Sequence, residues 1–207
     1  MRDVVGGGVL PIQWAVAARP VEGSARCGDQ AVVAELARDV LVAVVDGLGH
    51  GDAAADAAAR AASVLEGYAN ESLSVLVERC HAALVGTRGA ALSLAALSLQ
   101  RSTLTWLGVG NVAGVLVRAD RQARGHCEYL TPRGGIVGLQ LPALRPASLA
   151  FEPGDTLVLA TDGLRPDWSD GLRSAEPRRL TEQLLARYGV ATDDALVLAA
   201  RFSGHPA

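Results

Sequence analysis

At 207 residues and 21.3 kDa the chain is sized for one domain, and with half its residues apolar and 20% charged it can bury a core. That excludes a disordered tail or a disulfide-stapled miniprotein. A formal net charge of −3 and a pI near 5.8 argue against a surface built for nucleic-acid phosphate or anionic lipid, so neither partner is expected.

All nineteen cationic side chains are arginine, and aspartate outnumbers glutamate. Cys27, Cys80 and Cys127 are odd in number and lack Cys-x-x-Cys spacing, so a reducing, cytoplasmic setting is the expectation, with no zinc knuckle. The first apolar stretch is interrupted by Gly6, Gly7, Gly8 and Pro11, which fits neither a secretory leader nor a membrane span of about 18 residues.

In chain order, the alternation of Ile12, Trp14, Val16 and Ala18 predicts a half-buried strand with Trp14 in the core, followed by a loop through Pro20, Gly23 and Gly28. Residues 31–36 and 40–45 read as strands joined by a tight connection from Ala37 to Asp39. Two helices follow. The first carries a polar stripe of Asp52, Asp56 and Arg60 with an Asp56/Arg60 pair expected at i,i+4; the second carries the apolar stripe Leu73, Leu76, Val77, Cys80 and Leu84, which makes Cys80 a core residue.

Strands are then expected at 91–99, 103–108, 113–118 and 128–130. A glycine- and proline-rich connection and a Pro153-Gly154-Asp155 turn lead to a strand at 156–160, a helix at about 176–188 and a last strand at 195–201. Short hairpin-type connections predict an antiparallel α+β layered domain in one unit spanning 1–207, not a parallel βαβ array.

The aspartates gather at strand ends. Two apolar strands run into Asp46-Gly47 and Asp162-Gly163, while Asp29 and the Asp193-Asp194 pair stand in front of two others. With Ala37 and Arg38 at a hairpin tip, the residue facing position n is 75 − n, which sets Asp29 opposite Asp46. A strand ending at Asp162 and an antiparallel one beginning at Asp193 would bring their acids to one end as well. A lone Asp-Gly is an ordinary turn. Several carboxylates at one rim, however, repel one another unless a cation neutralises them, and an all-oxygen set selects hard ions such as magnesium or manganese. Two such ions would activate a water and polarise a phosphoryl group, so metal-assisted phosphate ester hydrolysis is the leading chemistry.

The segment Val44-Val45-Asp46-Gly47-Leu48-Gly49-His50-Gly51, ahead of an alanine-rich helix, resembles the metal-binding signature of the 2C-type metal-dependent protein phosphatases in their bacterial SpoIIE branch. The resemblance continues in order through Cys27-Gly28-Asp29, Thr87-Arg88-Gly89-Ala90, Gly108-Val109-Gly110-Asn111, Pro153-Gly154-Asp155, Thr161-Asp162-Gly163 and Asp193-Asp194. It implies two antiparallel sheets packed as a sandwich with helices on both faces, and two Mn²⁺ or Mg²⁺ ions at one end. By the same resemblance Asp46 bridges both ions and the Gly47 carbonyl binds one. Asp162 and Asp193 serve one ion, Asp29 serves the other, and Asp194 is an alternative ligand or a supporting residue.

The implied activity is a serine/threonine protein phosphatase without a covalent intermediate. The implied substrate is a phosphorylated STAS-domain or stressosome protein in a bacterial stress response. Three departures stand out: Gly28 replaces a glutamate, Leu48 replaces a histidine so that the nearby imidazole is His50, and Pro166 interrupts the expected helix after Asp162-Gly163. His50 is a catalytic-loop residue or a plain helix-start residue. Arg88 binds substrate phosphate or closes a turn, and Asn111 lines the cleft or takes a left-handed turn. His81, His126 and His205 read as surface residues. A phosphatase-fold binding protein without turnover and an unrelated metal-dependent nuclease or small-molecule phosphatase are the competing readings.

Overall fold

Hydrophobic runs that alternate between two covered faces organise the chain into four layers. The computed structural model describes residues 3–7, 11–120 and 126–204. Six strands, β1 (Asp3–Gly7), β2 (Ile12–Arg19), β11 (Ala195–Phe202), β10 (Thr156–Ala160), β7 (Ala113–Val117) and β8 (Cys127–Leu130), form one antiparallel sheet in that spatial order. Five more, β3 (Asp29–Glu35), β4 (Asp39–Gly47), β5 (Ala90–Ser98), β6 (Thr103–Val109) and β9 (Ala147–Ala150), form the second. Helices α1 (Asp52–Gly67) and α2 (Leu73–Leu84) cover the five-stranded sheet; α3 (Pro177–Tyr188) covers β1, β2 and β11 of the other.

The period of two along each strand assigns side chains to layers. In β4, Val40, Val42 and Val44 enter the core between the sheets, while Leu41, Ala43 and Val45 meet α1 and α2. In β11, Leu196, Leu198 and Ala200 point between the sheets and Ala195, Val197 and Ala199 toward α3. Burial on both faces explains why these strands read as continuous apolar runs. The alanines of α1 let that helix lie close on the sheet: Ala54, Ala58 and Ala61 have no exposed surface. Cys80 is buried in the same layer, as its stripe position predicts, and burial pushes its thiol up to about 12.

Several expectations change on folding. Residues 3–7, read as a glycine-broken stretch, pair along β2 as an edge strand, because ladder hydrogen bonds need only backbone. Residues 147–150, read as part of a proline-rich connection, add a short edge strand to β6. Trp14 is half-buried at the margin of the inter-sheet core, and Ile12, Ala15 and Ala17 are the buried members of β2. Asp56 pairs with Arg26 of the β2–β3 loop at 2.8 Å, not with Arg60, which donates to the Ala83 carbonyl. After Asp162-Gly163, Pro166 starts a single 3₁₀ turn (Pro166–Ser169) instead of an α-helix, and the chain leaves it at Gly171, whose φ is 67°. Among the described residues no helix is long and apolar enough to cross a membrane. His205 lies outside the described residues.

Leu94 has no exposed surface in the layer beneath α1 and α2, whereas Val5 is 60% exposed. Leu94→Ala is expected to cost about 2–5 kcal/mol and Val5→Ala less than about 0.5 kcal/mol, read as urea-unfolding midpoints.

Candidate metal centre

The β3–β4 hairpin turns through Leu36 and Asp39, where the Leu36 N–H donates to the Asp39 carbonyl, and its register pairs Asp29 with Asp46 as the 75 − n rule requires. Asp29 is buried and Asp46 half-buried. Across the sandwich, Thr161 follows the end of β10, and its hydroxyl donates to Asp29 Oδ2 at 2.8 Å while accepting the Leu196 N–H at 2.9 Å. That one hydroxyl ties the second sheet to the acid of the first. In the sequence Thr161 figures only as the first residue of the Thr161-Asp162-Gly163 motif; the signal for its role is a hydroxyl closing an apolar strand directly before Asp-Gly.

Both Asp-Gly pairs need glycine because another backbone segment presses against them. A Cβ on Gly47 would lie 2.1 Å from the Ala54 carbonyl oxygen of α1, and one on Gly163 would lie 1.8 Å from that of Asp194. The second approach carries Asp193 and Asp194 alongside Asp162. The β10–β7 register, continued two residues past Ala160↔Ala113, brings Asn111 opposite Asp162, and Asn111 Nδ2 donates to Asp162 Oδ2 at 2.7 Å. The left-handed backbone in that turn belongs to Gly110, at φ 98°, so Asn111 acts through its side chain. The buried Ser93 hydroxyl donates to the Val112 carbonyl at 2.6 Å and pins the same turn.

The predicted ligands divide into groups. Asp29, Asp162 and Asp193 sit close enough to Asp46 for their charges to raise its proton affinity. Asp194 is buried and already committed: its two oxygens accept the Val21 and Gly28 N–H groups at 2.8 and 2.9 Å. It anchors the loop that delivers Asp29. A Cβ at position 28 would meet Asp194 Oδ2 at 2.7 Å, so Gly28 stands where it does because this carboxylate fills the space a side chain would need. Arg88 is exposed, with Nη1 lying 2.6 Å from where a Gly49 Cβ would be, over the loop that follows Asp46-Gly47. His50 is exposed at the same mouth, and its charge favours the ionised form of Asp193.

The electrostatics fit a cation. Burial, opposed by the Thr161 hydrogen bond and reinforced by Asp194, Asp193 and Asp162, raises Asp29 to about 7. Burial, then the charges of Asp29, Asp162 and Asp193, raises Asp46 to about 8. Burial is also the largest cause of the rise at Asp193. Acids elsewhere, such as Asp52, Asp56 and Asp155, are neutralised by arginine, but none of Asp29, Asp46, Asp162, Asp193 and Asp194 has an ion-pair partner among the described residues. Nor are three acid, imidazole or thiol groups among those residues drawn into a ready-made cage. Oxygen donors spread around one opening, short of positive charge, are the donor set that hard divalent ions prefer.

Residues 37–203 match the family model of the stage II sporulation protein E (SpoIIE). The chain is similar to the phosphoserine phosphatase RsbX of Bacillus subtilis (strain 168), 28% identical over 176 residues that cover 84% of this chain and 86% of that protein. It superposes on a crystal structure of RsbX in complex with magnesium with a TM-score of 0.85 and 27% identity, covering 98% of this chain and 100% of the other. A chain from structural work on the bacterial stressosome, a modular system adapted to control secondary messenger signalling, gives a TM-score of 0.82 and 28% identity over 92% of this chain and 99% of that one. The Mycobacterium tuberculosis serine/threonine phosphatase PstP shares the fold, with a TM-score of 0.72 at 18% identity over 93% of this chain and 99% of the other.

Because Asp29 and Asp46 hold protons more tightly folded than unfolded, the stability they contribute is full below about pH 4 and is lost as pH rises through their folded values, about 7 and 8. The metal-free protein is therefore expected to melt lower at pH 8.5 than at pH 5.5, with added Mg²⁺ or Mn²⁺ raising Tm more at the higher pH. Thr161→Val should cost about 1–3 kcal/mol, by stranding the Leu196 N–H and removing the donor to Asp29, and should weaken the cation-induced rise in Tm. Differential scanning calorimetry checks both.

Proposed function

Because this chain belongs to the stage II sporulation protein E (SpoIIE) family, we propose that residues 1–207 are one catalytic domain, a metal-dependent serine/threonine protein phosphatase. Its substrate is a regulatory phosphoprotein, a STAS-domain antagonist or a stressosome protein, in a cytoplasmic partner-switching stress response. The observation that carries this reading is the gathering of Asp29, Asp46, Asp162 and Asp193 at one end of the sandwich, none of them ion-paired among the described residues, with the exposed Arg88 at the mouth. The likeness to RsbX supports the phosphoprotein substrate.

Asp46, the Gly47 carbonyl, Asp162, Asp193 and Asp29 are the oxygen donors that would hold two divalent ions, Mg²⁺ or Mn²⁺, with Asp46 central among them. When bound, the ions supply positive charge that polarises the phosphoryl oxygens and lowers the pKa of the attacking water. The chain's own residues do the positioning. Thr161 holds Asp29 against the opposite sheet, Asn111 fixes the Asp162 carboxylate, and Asp194 locks the loop that carries Asp29. Arg88 has no carboxylate partner among the described residues, and with His50 it meets the phosphoryl group at the mouth. A guanidinium suits that task because its planar fork matches two phosphate oxygens. The cysteines make poor nucleophiles, because burial raises each thiol, Cys27 and Cys80 up to about 12.

Asp46→Asn is expected to lower kcat/KM on a phosphoserine peptide with Mn²⁺ by more than about a hundredfold while leaving the fold intact. Near wild-type turnover would overturn the reading. Arg88→Ala should act mainly on KM for the phosphopeptide, whereas Asn111→Ala should act on the metal concentration needed for half-maximal rate, raising it about tenfold. Steady-state assays with the metal titrated separately distinguish the two.

A further inference from the structure

The outer face of the six-stranded sheet is covered unevenly. Helix α3 packs on β1, β2 and β11, while the β7–β8 half has only the 3₁₀ turn and the chain that leaves it. The turn is held by i→i+3 bonds, Trp168 N–H to the Arg165 carbonyl and Asp170 N–H to the Asp167 carbonyl, and is too short to span that half. What remains is a groove of about 400 Å³ whose floor is Ala113, Gly114 and Val115 of β7. One wall is β8 and its continuation, with Tyr129 and Pro132; the other is the turn, with Pro166 and Trp168. Its inner end is formed by Asn111, Thr161 and Asp162.

The groove therefore opens directly into the acid cluster, and its lining is mostly apolar. Trp168 is fixed, 6% exposed, whereas Tyr129 offers 60% of its surface to solvent. An aromatic ring left in water beside a preformed apolar trough is the composition of a recognition site. On the phosphatase reading the phosphoserine reaches the acid cluster, so the polypeptide attached to it leaves across a neighbouring surface, and this groove ends at Asp162 of that cluster.

We propose that the groove binds the substrate polypeptide beside the phosphoserine, taking one large apolar side chain between Tyr129 and Trp168 and so setting which phosphoserines are accepted. The assignment rests on the phosphatase reading for the identity of its occupant. Asn111 lies opposite Asp162, and Tyr129 pairs with Val115, four residues further along the same chain. At about 3.3 Å per residue that separation is about 13 Å, so in an extended segment the apolar side chain falls about four residues from the phosphoserine.

The test uses the full chain with an alanine-based phosphoserine peptide in which a single phenylalanine is walked from five residues before the phosphoserine to five after it. The expected result is a kcat/KM about tenfold higher when phenylalanine sits three to five residues away on one side, with that gain abolished in Tyr129→Asp and turnover of p-nitrophenyl phosphate unchanged. A flat profile, or a gain that survives Tyr129→Asp, overturns the proposal. Binding of the same peptides, labelled with fluorescein, to the Asp46→Asn variant gives a readout independent of turnover. If the wild type hydrolyses neither p-nitrophenyl phosphate nor any peptide, the phosphatase reading fails by itself. The position dependence of binding then still decides the groove: a Tyr129-dependent optimum upholds it and a flat profile overturns it.

Discussion

Two carboxyl groups, Asp29 and Asp46, face each other across an antiparallel ladder at the end of a packed sandwich, and neither has an ion-pair partner among the described residues. Burying like charges together is expensive, and both groups respond by holding their protons near neutral pH. Much of the surrounding structure keeps them there. The close approach of α1 to Gly47 and of Asp194 to Gly163, the Thr161 hydroxyl between the sheets and the Asp194 carboxylate under the β2–β3 loop all hold acids in one small volume. The stability lost to this crowding is offset by layers of aliphatic side chains with almost no exposed surface.

The supporting residues show how a rigid fold positions polar groups it cannot neutralise. Two acids of the cluster, Asp29 and Asp162, accept hydrogen bonds from side chains held at or next to strand ends. Asp29 accepts from a hydroxyl that also accepts a β11 backbone N–H, and Asp162 accepts from an amide pinned by a buried serine one strand away. Such arrangements hold ligands in place before an ion arrives, which limits the reorganisation that binding must drive. The exposed positions of Arg88 and His50 are different in kind: they lie at the mouth, where a ligand and not the protein interior would order them.

Proline and glycine chemistry after Asp162-Gly163 shapes the rest of the surface. A longer helix at that point would cover the β7–β8 half of the outer face; a 3₁₀ turn ended by Gly171 leaves it open. The same four-residue element carries Trp168, so one local choice both uncovers the trough and furnishes one of its walls. Fold and recognition are coupled there through backbone geometry.

Much of this was legible in the amino-acid order. Alternation and short connections specified antiparallel strands, and a two-residue hairpin tip was enough to set Asp29 opposite Asp46, because pairing register follows from turn length. The ordered motifs indicated the acids and the four-layer arrangement. Tertiary packing decided the remainder. Asp56 pairs with Arg26 of a neighbouring loop, while Arg60 of its own helix donates to the Ala83 carbonyl. Edge strands at 3–7 and 147–150 formed because backbone ladders do not require a side-chain signal. Asp194 became an anchor for Gly28 and Val21, and Asn111 a partner of Asp162, through approaches between segments distant in sequence. Periodicity reports which face of an element is buried; which residue meets it from another layer is a property of three-dimensional packing, and the details of this site rest on that.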